Sequence, residues 1–342
     1  VDEYQELLRM SVASAGNDHR LGANEAPPAI VSIFLGDELG AIVDALIKGD
    51  EYHSAEAISM DLGVAVLPQF LKDNTDRNRT SPFAFTGNKF EFRMPGSAVN
   101  LSDCNMILNT AVAKSLKDFA DACEGLEGAA FEKAAISYVR QLLADHQRII
   151  FNGNGYSQEW EEEANRRGLA NHRNTAEALP CFVSQKSIDL FAEFGILSES
   201  EVRSRYEVKL EKYTKLLNIE ARVMIRMARR TYLPAITKYM KDIAETITAV
   251  KGAVPSSNMD EHEKLLSHLV KGVNAVATCI RTLISEHDAA EAIEDSQEQA
   301  YAYADRVIPA MDALRAEVDA LECIVENDYW PVPTYNDILF YN

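Results

Sequence analysis

Long apolar stripes dominate the C-terminal part of the chain. Within residues 198–250, 256–286 and 290–327, apolar side chains recur at steps of three and four residues. This spacing places them on one face of an α-helix, and each such face must pack against a partner to leave water. The pattern predicts an antiparallel bundle of long helices. Pro234 and Pro309 should kink these helices, because proline lacks the amide proton that a helix interior requires.

The first hundred residues have a mixed pattern. The run Ala29–Gly36 is short, apolar and rich in β-branched residues, which predicts a buried strand. The next segment predicts a helix that is capped by Asp37 and ended by Gly49. In residues 83–92, phenylalanines alternate with small or charged residues, as in a strand hairpin. The predicted fold class is therefore α+β: an antiparallel sheet with covering helices, followed by a long-helix bundle.

Composition narrows the possible partners and compartments. The 342 residues include 34 basic and 53 acidic side chains, which gives a net charge of −19 and argues against nucleic acid as a partner. No apolar run reaches the roughly 20 residues that cross a bilayer, and no secretory signal is visible at the start. The five cysteines are widely spaced and odd in number, so we interpret them as buried thiols and expect a cytoplasmic protein.

The segment "DRNRTSPFAFTGNKFEFRMPGS" (residues 76–97) concentrates cations in this acidic chain. In a strand, Lys89, Glu91 and Arg93 share one face and the phenylalanines share the other. A solvated charged face over a buried aromatic face would explain this without any function. Alternatively, several cations suit a ligand with several negative groups, such as a nucleotide with a carboxylate. A single carboxylate among them suits Mg²⁺, which shares its ligands with phosphate.

A second charged segment lies upstream. "HRLGANEAPP" (residues 19–28) carries Arg20 and Glu25 around a Gly-Ala-Asn turn. It lies between residues 3–14, whose spacing predicts a helix, and the predicted strand Ala29–Gly36, and sites often form in such loops. The two segments together resemble the C-terminal catalytic half of glutamine synthetases, specifically the large type III form. Type I members of that family carry Arg-Leu…Glu-Ala-Pro, Arg-Asn-Arg-Ser and Arg-Ile-Glu-Val-Arg segments in the same order. The ending "YWPVPTYNDILF" also resembles type III.

The resemblance implies roles for the residues around the nucleotide. Glu91 would be a ligand of the Mg²⁺ or Mn²⁺ ion that bridges the ATP phosphates. Arg79 would hold the transferring γ-phosphoryl group, and Lys89 would contact the nucleotide phosphates. In type I enzymes the strand after the phosphate-binding arginine supplies a further cation. Here "SPFAFTG" supplies none, so this contact would be missing or moved to Arg77.

The resemblance also implies roles on the substrate side. Arg20 and Arg93 would bind glutamate, and Glu25 would lie on a flap that shields the acyl phosphate and helps ammonium lose its proton. The implied activity is an ATP-dependent glutamate–ammonia ligase that forms glutamine through γ-glutamyl phosphate. The implied partners are glutamate, ammonium, ATP and further copies of the chain, because rings of six subunits stack in pairs, as dodecamers, in the type III family.

The resemblance further implies a division of the chain. Residues 1–125 would be the C-terminal part of the catalytic domain, with part of its antiparallel sheet, and residues 126–342 a helical type III extension. The family's N-terminal domain and its other metal ligands have no counterpart in these residues, so we expect this half alone to be inactive. Two alternatives stay open. One is a helical assembly module that has lost catalysis, and the other is a related ATP-dependent γ-glutamyl-amine ligase.

Overall fold

Helices form most of the chain and follow the apolar stripes of its sequence. The computed structural model describes residues 1–23, 26–52, 59–60, 70–71 and 81–340. The chain divides into two units, residues 1–208 and 209–342. A small sheet lies in the first unit, so the α+β class is confirmed. The domain division at residue 125 stays a prediction.

The first unit contains short strands and helices, and the division between the units falls within the last of these helices. In chain order they are α1 (Gln5–Ser11), α2 (Ala15–Asp18), β1 (Ile33–Phe34), α3 (Gly36–Lys48), β2 (Ser59–Met60), β3 (Phe70–Leu71), β4 (Phe83–Phe85), β5 (Phe90–Phe92), α4 (Ser102–Ala122), α5 (Gly128–Asp145), α6 (Gln158–Arg166), α7 (Thr175–Ala178), α8 (Gln185–Glu193) and α9 (Glu199–Met227).

The predicted phenylalanine hairpin is confirmed. Strands β4 and β5 pair antiparallel, with Phe83 opposite Phe92 and Ala84 opposite Glu91. The sheet as a whole is mixed, however, because β1 pairs with β4 in parallel and gives the order β1-β4-β5. β4 and β5 are consecutive and can form a hairpin. β1 and β4 are separated by a long connection that includes α3. Such a connection can return the chain to the end of the sheet where β1 began, as a parallel pair requires. The expectation of a purely antiparallel sheet was wrong on this point. Strands β2 and β3 form a separate antiparallel pair.

The predicted strand at Ala29–Gly36 is shorter than expected. Only Ile33 and Phe34 pair in the sheet, although Ile30 and Val31 are buried. More residues of this apolar run are therefore packed in the core or paired than the two that form the strand. Ile30 and Val31 have irregular backbone and pack in the core, and Ile33 and Phe34 then pair with β4.

Helix α3 ends as its sequence predicts but begins differently. Gly49 ends it in the left-handed conformation, with φ 79°. The expected cap, Asp37, lies within the first turn instead. The backbone N–H groups of Leu35 and Gly36 donate to Oδ1 of Asn152, at 3.0 and 3.2 Å. A residue more than one hundred positions away thus satisfies the free N–H groups at this helix start.

The second unit is a set of long helices, as predicted. Its elements are α10 (Leu233–Ala253), α11 (Asp260–Glu291), α12 (Ser296–Ala302), α13 (Ile308–Glu322) and α14 (Tyr335–Leu339). Helix α11 packs against both α10 and α13. A short turn joins α10 to α11, and an ion pair between Lys251 and Glu263 spans it.

Both prolines mark interruptions in the helices. Single π-helical turns occupy Ala228–Tyr232 and Tyr303–Val307, each ending two residues before its proline, Pro234 or Pro309. Proline cannot donate the backbone hydrogen bond that the α-helix requires, and a π-turn is one recognised way to accommodate such a break. The α-helical hydrogen bonding is thus interrupted next to both prolines, and the expected kinks stay a prediction.

Two sequence-based expectations concern cysteines and membranes. All five cysteines are free, as expected, and Cys104 and Cys123 are buried. Cys323 is exposed, which corrects the expectation of buried thiols: it follows the last residue of α13, while Leu321 occupies the core. Among the helices of the described ranges, none is both long and apolar enough to span a bilayer.

Candidate active site

The hairpin gathers three of the predicted site residues on β5 and its flanks. The carboxylate of Glu91 lies 3.2 Å from Nζ of Lys89 and 3.3 Å from Nε of Arg93. These residues alternate with Phe90 and Phe92, so the pleat of the strand turns their side chains to one face. The two cations lower the pKa of Glu91, the hydrogen bond from Lys89 being the largest cause. The carboxylate is therefore ionised at neutral pH.

The charged face is less solvated than an ordinary surface strand would be. The exposed fraction of the side chains falls from 66% at Lys89 to 38% at Glu91 and 13% at Arg93. Ala84 pairs directly with Glu91 and so shares its face, and it is completely buried. On the opposite face Phe90 is exposed whereas Phe92 packs against the core, so the alternative of a buried aromatic face without function is met only in part. Arg93 lies in the covered part of the charged face.

The aromatic face fixes the hairpin in place. The ring centroids of Phe83 and Phe92 are 5.7 Å apart, and those of Phe85 and Phe90 are 5.3 Å apart. Phe92 also packs against a core cluster formed by Val12, Val31, Met94, Cys104 and Ile149. Because this cluster includes Val12 after α1, Val31 before β1, Cys104 of α4 and Ile149, it holds β5 against four other segments.

Arg20 contacts the end of the same strand. Its Nη1 donates to the carbonyl of Met94 at 2.9 Å, and its Nη2 donates to the carbonyl of Arg93 at 3.2 Å. The structure therefore brings Arg20 to the backbone that carries Arg93. The shared role of the two arginines in binding glutamate stays a prediction. Glu25 and Arg79, together with Arg77, lie outside the described residues.

Comparisons with known proteins show the family to which the chain is related. A family model described as the glutamine synthetase C-terminal domain matches residues 134–251. The chain is 41% identical to a type-3 glutamine synthetase of Dictyostelium discoideum over 99% of its own length. It is 36% and 40% identical to glutamine synthetases of Bacteroides fragilis and Butyrivibrio fibrisolvens, again over 99% of its length.

The chain belongs to the glutamine synthetase family. It covers 47%, 48% and 48% of these three relatives, so it spans about half the length of the curated relatives it matches. The resemblance inferred from the motifs around Arg20 and Glu91 is thereby confirmed at the level of the family.

A buried ion pair in this chain was not foreseen from the sequence. The guanidinium of Arg9 donates to Asp18 at 3.2 Å and to the carbonyl of His172 at 2.8 Å. Asp18 also accepts from the N–H and the hydroxyl of Thr175, at 2.7 and 2.9 Å. This clamp fixes the residues just before Arg20 against α7. The only sequence signal is that Arg9 interrupts an otherwise apolar stretch of α1.

The described residues also hold one small group of potential metal ligands in the second unit. Ligand atoms of His287, Asp288 and Glu291 lie within 4.8 Å of one another, although the spacing of the histidines along the chain predicts no metal site. Arg222 already donates to both carboxylate oxygens of Glu291, at 2.8 and 3.1 Å. A cation there would have to displace the guanidinium, so these residues are first of all a salt-bridged helix end.

Proposed function

We propose that this chain is part of a glutamate–ammonia ligase and that its strand β5 binds the metal ion and the phosphates of that enzyme's active site. The observation that carries the proposal is the Glu91 carboxylate held between Lys89 and Arg93 on a partly covered strand face. The relatives that match nearly the whole chain bear the name glutamine synthetase. In the proposed reaction, a glutamate side-chain oxygen attacks the γ-phosphorus of ATP and ADP leaves. Ammonia then attacks the acyl carbon of γ-glutamyl phosphate, and phosphate leaves.

The residue types suit the first step. A carboxylate that approaches a triphosphate brings like charges together, so fixed cations must neutralise them. Lys89 is largely exposed, and its ammonium can exchange Glu91 for a phosphate oxygen. Arg93 is mostly covered, and its planar guanidinium suits a carboxylate substrate. We assign Lys89 to the nucleotide and Arg93 to glutamate on these grounds.

Glu91 fits a divalent cation. It is ionised and partly open to solvent, which are the properties that Mg²⁺ or Mn²⁺ requires of an oxygen ligand. When bound, the ion would neutralise charge on the ATP phosphates. Glu91 would hold it, and Lys89 would remain next to the phosphate oxygens that share it. The further metal ligands would come from other parts of the complete polypeptide.

The remaining roles rest on the family resemblance. Arg79 would hold the transferring phosphoryl group, Arg20 would bind glutamate with Arg93, and Glu25 would accept a proton from ammonium under a closing flap. A flap of this kind excludes water, which would otherwise hydrolyse the acyl phosphate. We also keep the division into a catalytic part, residues 1–125, and a helical extension, residues 126–342.

Assembly into stacked hexameric rings is part of the proposal. An unusual helix supports it. None of the eighteen residues of α5 is buried, and its exposed residues include the apolar Ile136, Val139 and Leu142. A helix of this composition gains stability when a partner covers it. The free cysteines fit a reducing compartment, and we expect the assembled enzyme in the cytoplasm.

The experiment replaces Glu91 in the complete polypeptide that contains this chain. Glu91→Gln keeps the size of the side chain and removes its charge, so glutamine formation should fall at least about 100-fold. Glu124→Gln, an exposed control after α4, should keep full activity. If Glu91→Gln retains activity near that of the control, the proposed role of Glu91 is wrong. If the unsubstituted polypeptide assembles but forms neither glutamine nor another γ-glutamyl amide, the alternative of a non-catalytic assembly module replaces it.

A further inference from the structure

A single buried amide joins three segments of the candidate site. Asn17 is 3% exposed, and its Nδ2 donates to the carbonyl of Val12 at 2.8 Å and to that of Met94 at 3.1 Å. Its Oδ1 accepts from Nη1 of Arg20 at 3.3 Å. Asn17 thus connects the end of α1, the residues after β5 and the guanidinium of Arg20. Its side-chain donors and acceptor are all used, as a buried amide requires.

Asn17 and Arg20 share one acceptor. The Met94 carbonyl receives both Nδ2 of Asn17 and, at 2.9 Å, Nη1 of Arg20. Because the guanidinium is planar and rigid, its bonds to Asn17, Met94 and the carbonyl of Arg93 fix its plane. Among the residues that the structure describes, these bonds leave Nε–H and one Nη2–H of Arg20 without a protein partner. Those two N–H groups can donate to a carboxylate.

The space around Asn17 is equally restricted. A Cβ added to Gly96 would lie 2.9 Å from Oδ1 of Asn17, closer than real Cβ atoms come. Gly96 has no positive φ, so its requirement is steric and comes from this contact. A methyl group at Gly96 would therefore push the same oxygen that accepts from Arg20, without removing any polar group.

We infer that Asn17 is a positioning residue that fixes the Arg20 guanidinium against the exit of β5, with two N–H groups ready for the glutamate carboxylate. The inference rests on the proposed function, in which Arg20 and Arg93 bind glutamate together. Asn17 does not touch substrate. It acts through Arg20, so its loss should weaken glutamate binding and leave nucleotide binding nearly unchanged.

The first test uses the kinetics of the complete polypeptide. We expect Asn17→Ala to raise the KM for glutamate about tenfold, the effect of one lost hydrogen-bonding contact, and to leave the KM for ATP within about twofold. Gly96→Ala should raise the KM for glutamate several-fold in the same selective way. Gly16→Ala is the matched control, because Gly16 lies in α2 next to Asn17 and an added Cβ meets nothing within 4 Å.

A second measurement does not depend on activity. In the ¹⁵N-labelled chain, the Nη protons of Arg20 should give separate, slowly exchanging signals. In Asn17→Ala and Gly96→Ala these signals should merge into an average, whereas in Gly16→Ala they should stay separate. The inference is overturned if these signals are unchanged in Gly96→Ala, or if both substitutions raise the two KM values equally. If the unsubstituted polypeptide forms no glutamine, the proposed function fails, and the NMR comparison then decides whether Asn17 orients Arg20.

Discussion

Nη2 of Arg9 lies 3.2 Å from Oδ1 of Asp18, and the two side chains expose only 2% and 9% of their surface. Burial raises the pKa of Asp18, whereas attraction to Arg9 and the hydrogen bonds from Thr175 act in the opposite direction. Burial likewise lowers the pKa of Arg9. The pair fixes the turn that leads directly into Arg20, so its integrity bears on the candidate site as well as on stability.

Removing one partner of this pair should be costly. Asp18→Asn leaves the buried Arg9 guanidinium without its hydrogen-bonded counter-charge, and we expect a loss of about 3–5 kcal/mol in the free energy of unfolding. Urea unfolding followed by circular dichroism measures it. Glu199→Gln is the control: it breaks an exposed pair with Arg203 and should cost less than about 0.5 kcal/mol. Similar losses for the two substitutions would show that the Arg9 pair is not a buried clamp.

The charge of Glu91 should depend on Lys89. Its pKa in the folded chain is lowered, first by the hydrogen bond from Lys89 and then by Arg93, so Lys89→Ala should raise it toward the ordinary value of about 4.3. The sign follows from this direction. The ion pairs contribute fully above the unfolded pKa and are lost as pH falls through the folded one. A ¹³C NMR titration of the carboxyl group, with its signal assigned by Glu91→Gln, measures the shift.

Controls for this titration are available in the same chain. Lys133→Ala, on the exposed face of α5, should leave the Glu91 titration unchanged. High salt should reduce the difference between the wild type and Lys89→Ala, because the pair is partly exposed and ions screen it. A Glu91 pKa that does not respond to Lys89→Ala would contradict the charge arrangement on which the proposed metal site rests.

Close packing of α11 on α13 should depend on Gly272. A Cβ at this position would lie 2.5 Å from Cδ2 and 3.1 Å from Cγ of the buried Leu321. Gly272→Ala should therefore destabilise the chain by about 1–3 kcal/mol through overpacking, even though alanine is the better helix former. Gly252→Ala, in α10 with nothing within 4 Å, should be neutral or stabilising by up to about 1 kcal/mol. Thermal unfolding of both variants decides the point, and a stable Gly272→Ala would contradict this helix contact.

The local elements of this protein were determined by its sequence. Alternating phenylalanines around Phe83 and Phe92 predicted the hairpin, and helical periodicity predicted the long helices. Pro234 and Pro309 marked where the α-helical pattern is interrupted. The same reading put Lys89, Glu91 and Arg93 on one face. These features depend on neighbouring residues and on the period of the strand or helix, which a sequence displays directly.

Only the tertiary structure decided which distant groups meet. It placed Asn152 at the start of α3, paired Arg9 with Asp18, and set the Asn17 amide and the Arg20 guanidinium on one carbonyl after β5. Buried polar groups form hydrogen bonds with whichever groups the packing of the chain brings next to them. The spacing of residues in the sequence does not predict those contacts. The sequence therefore predicts which residues could neutralise charge in the candidate site, whereas the contacts that orient their side chains depend on the fold.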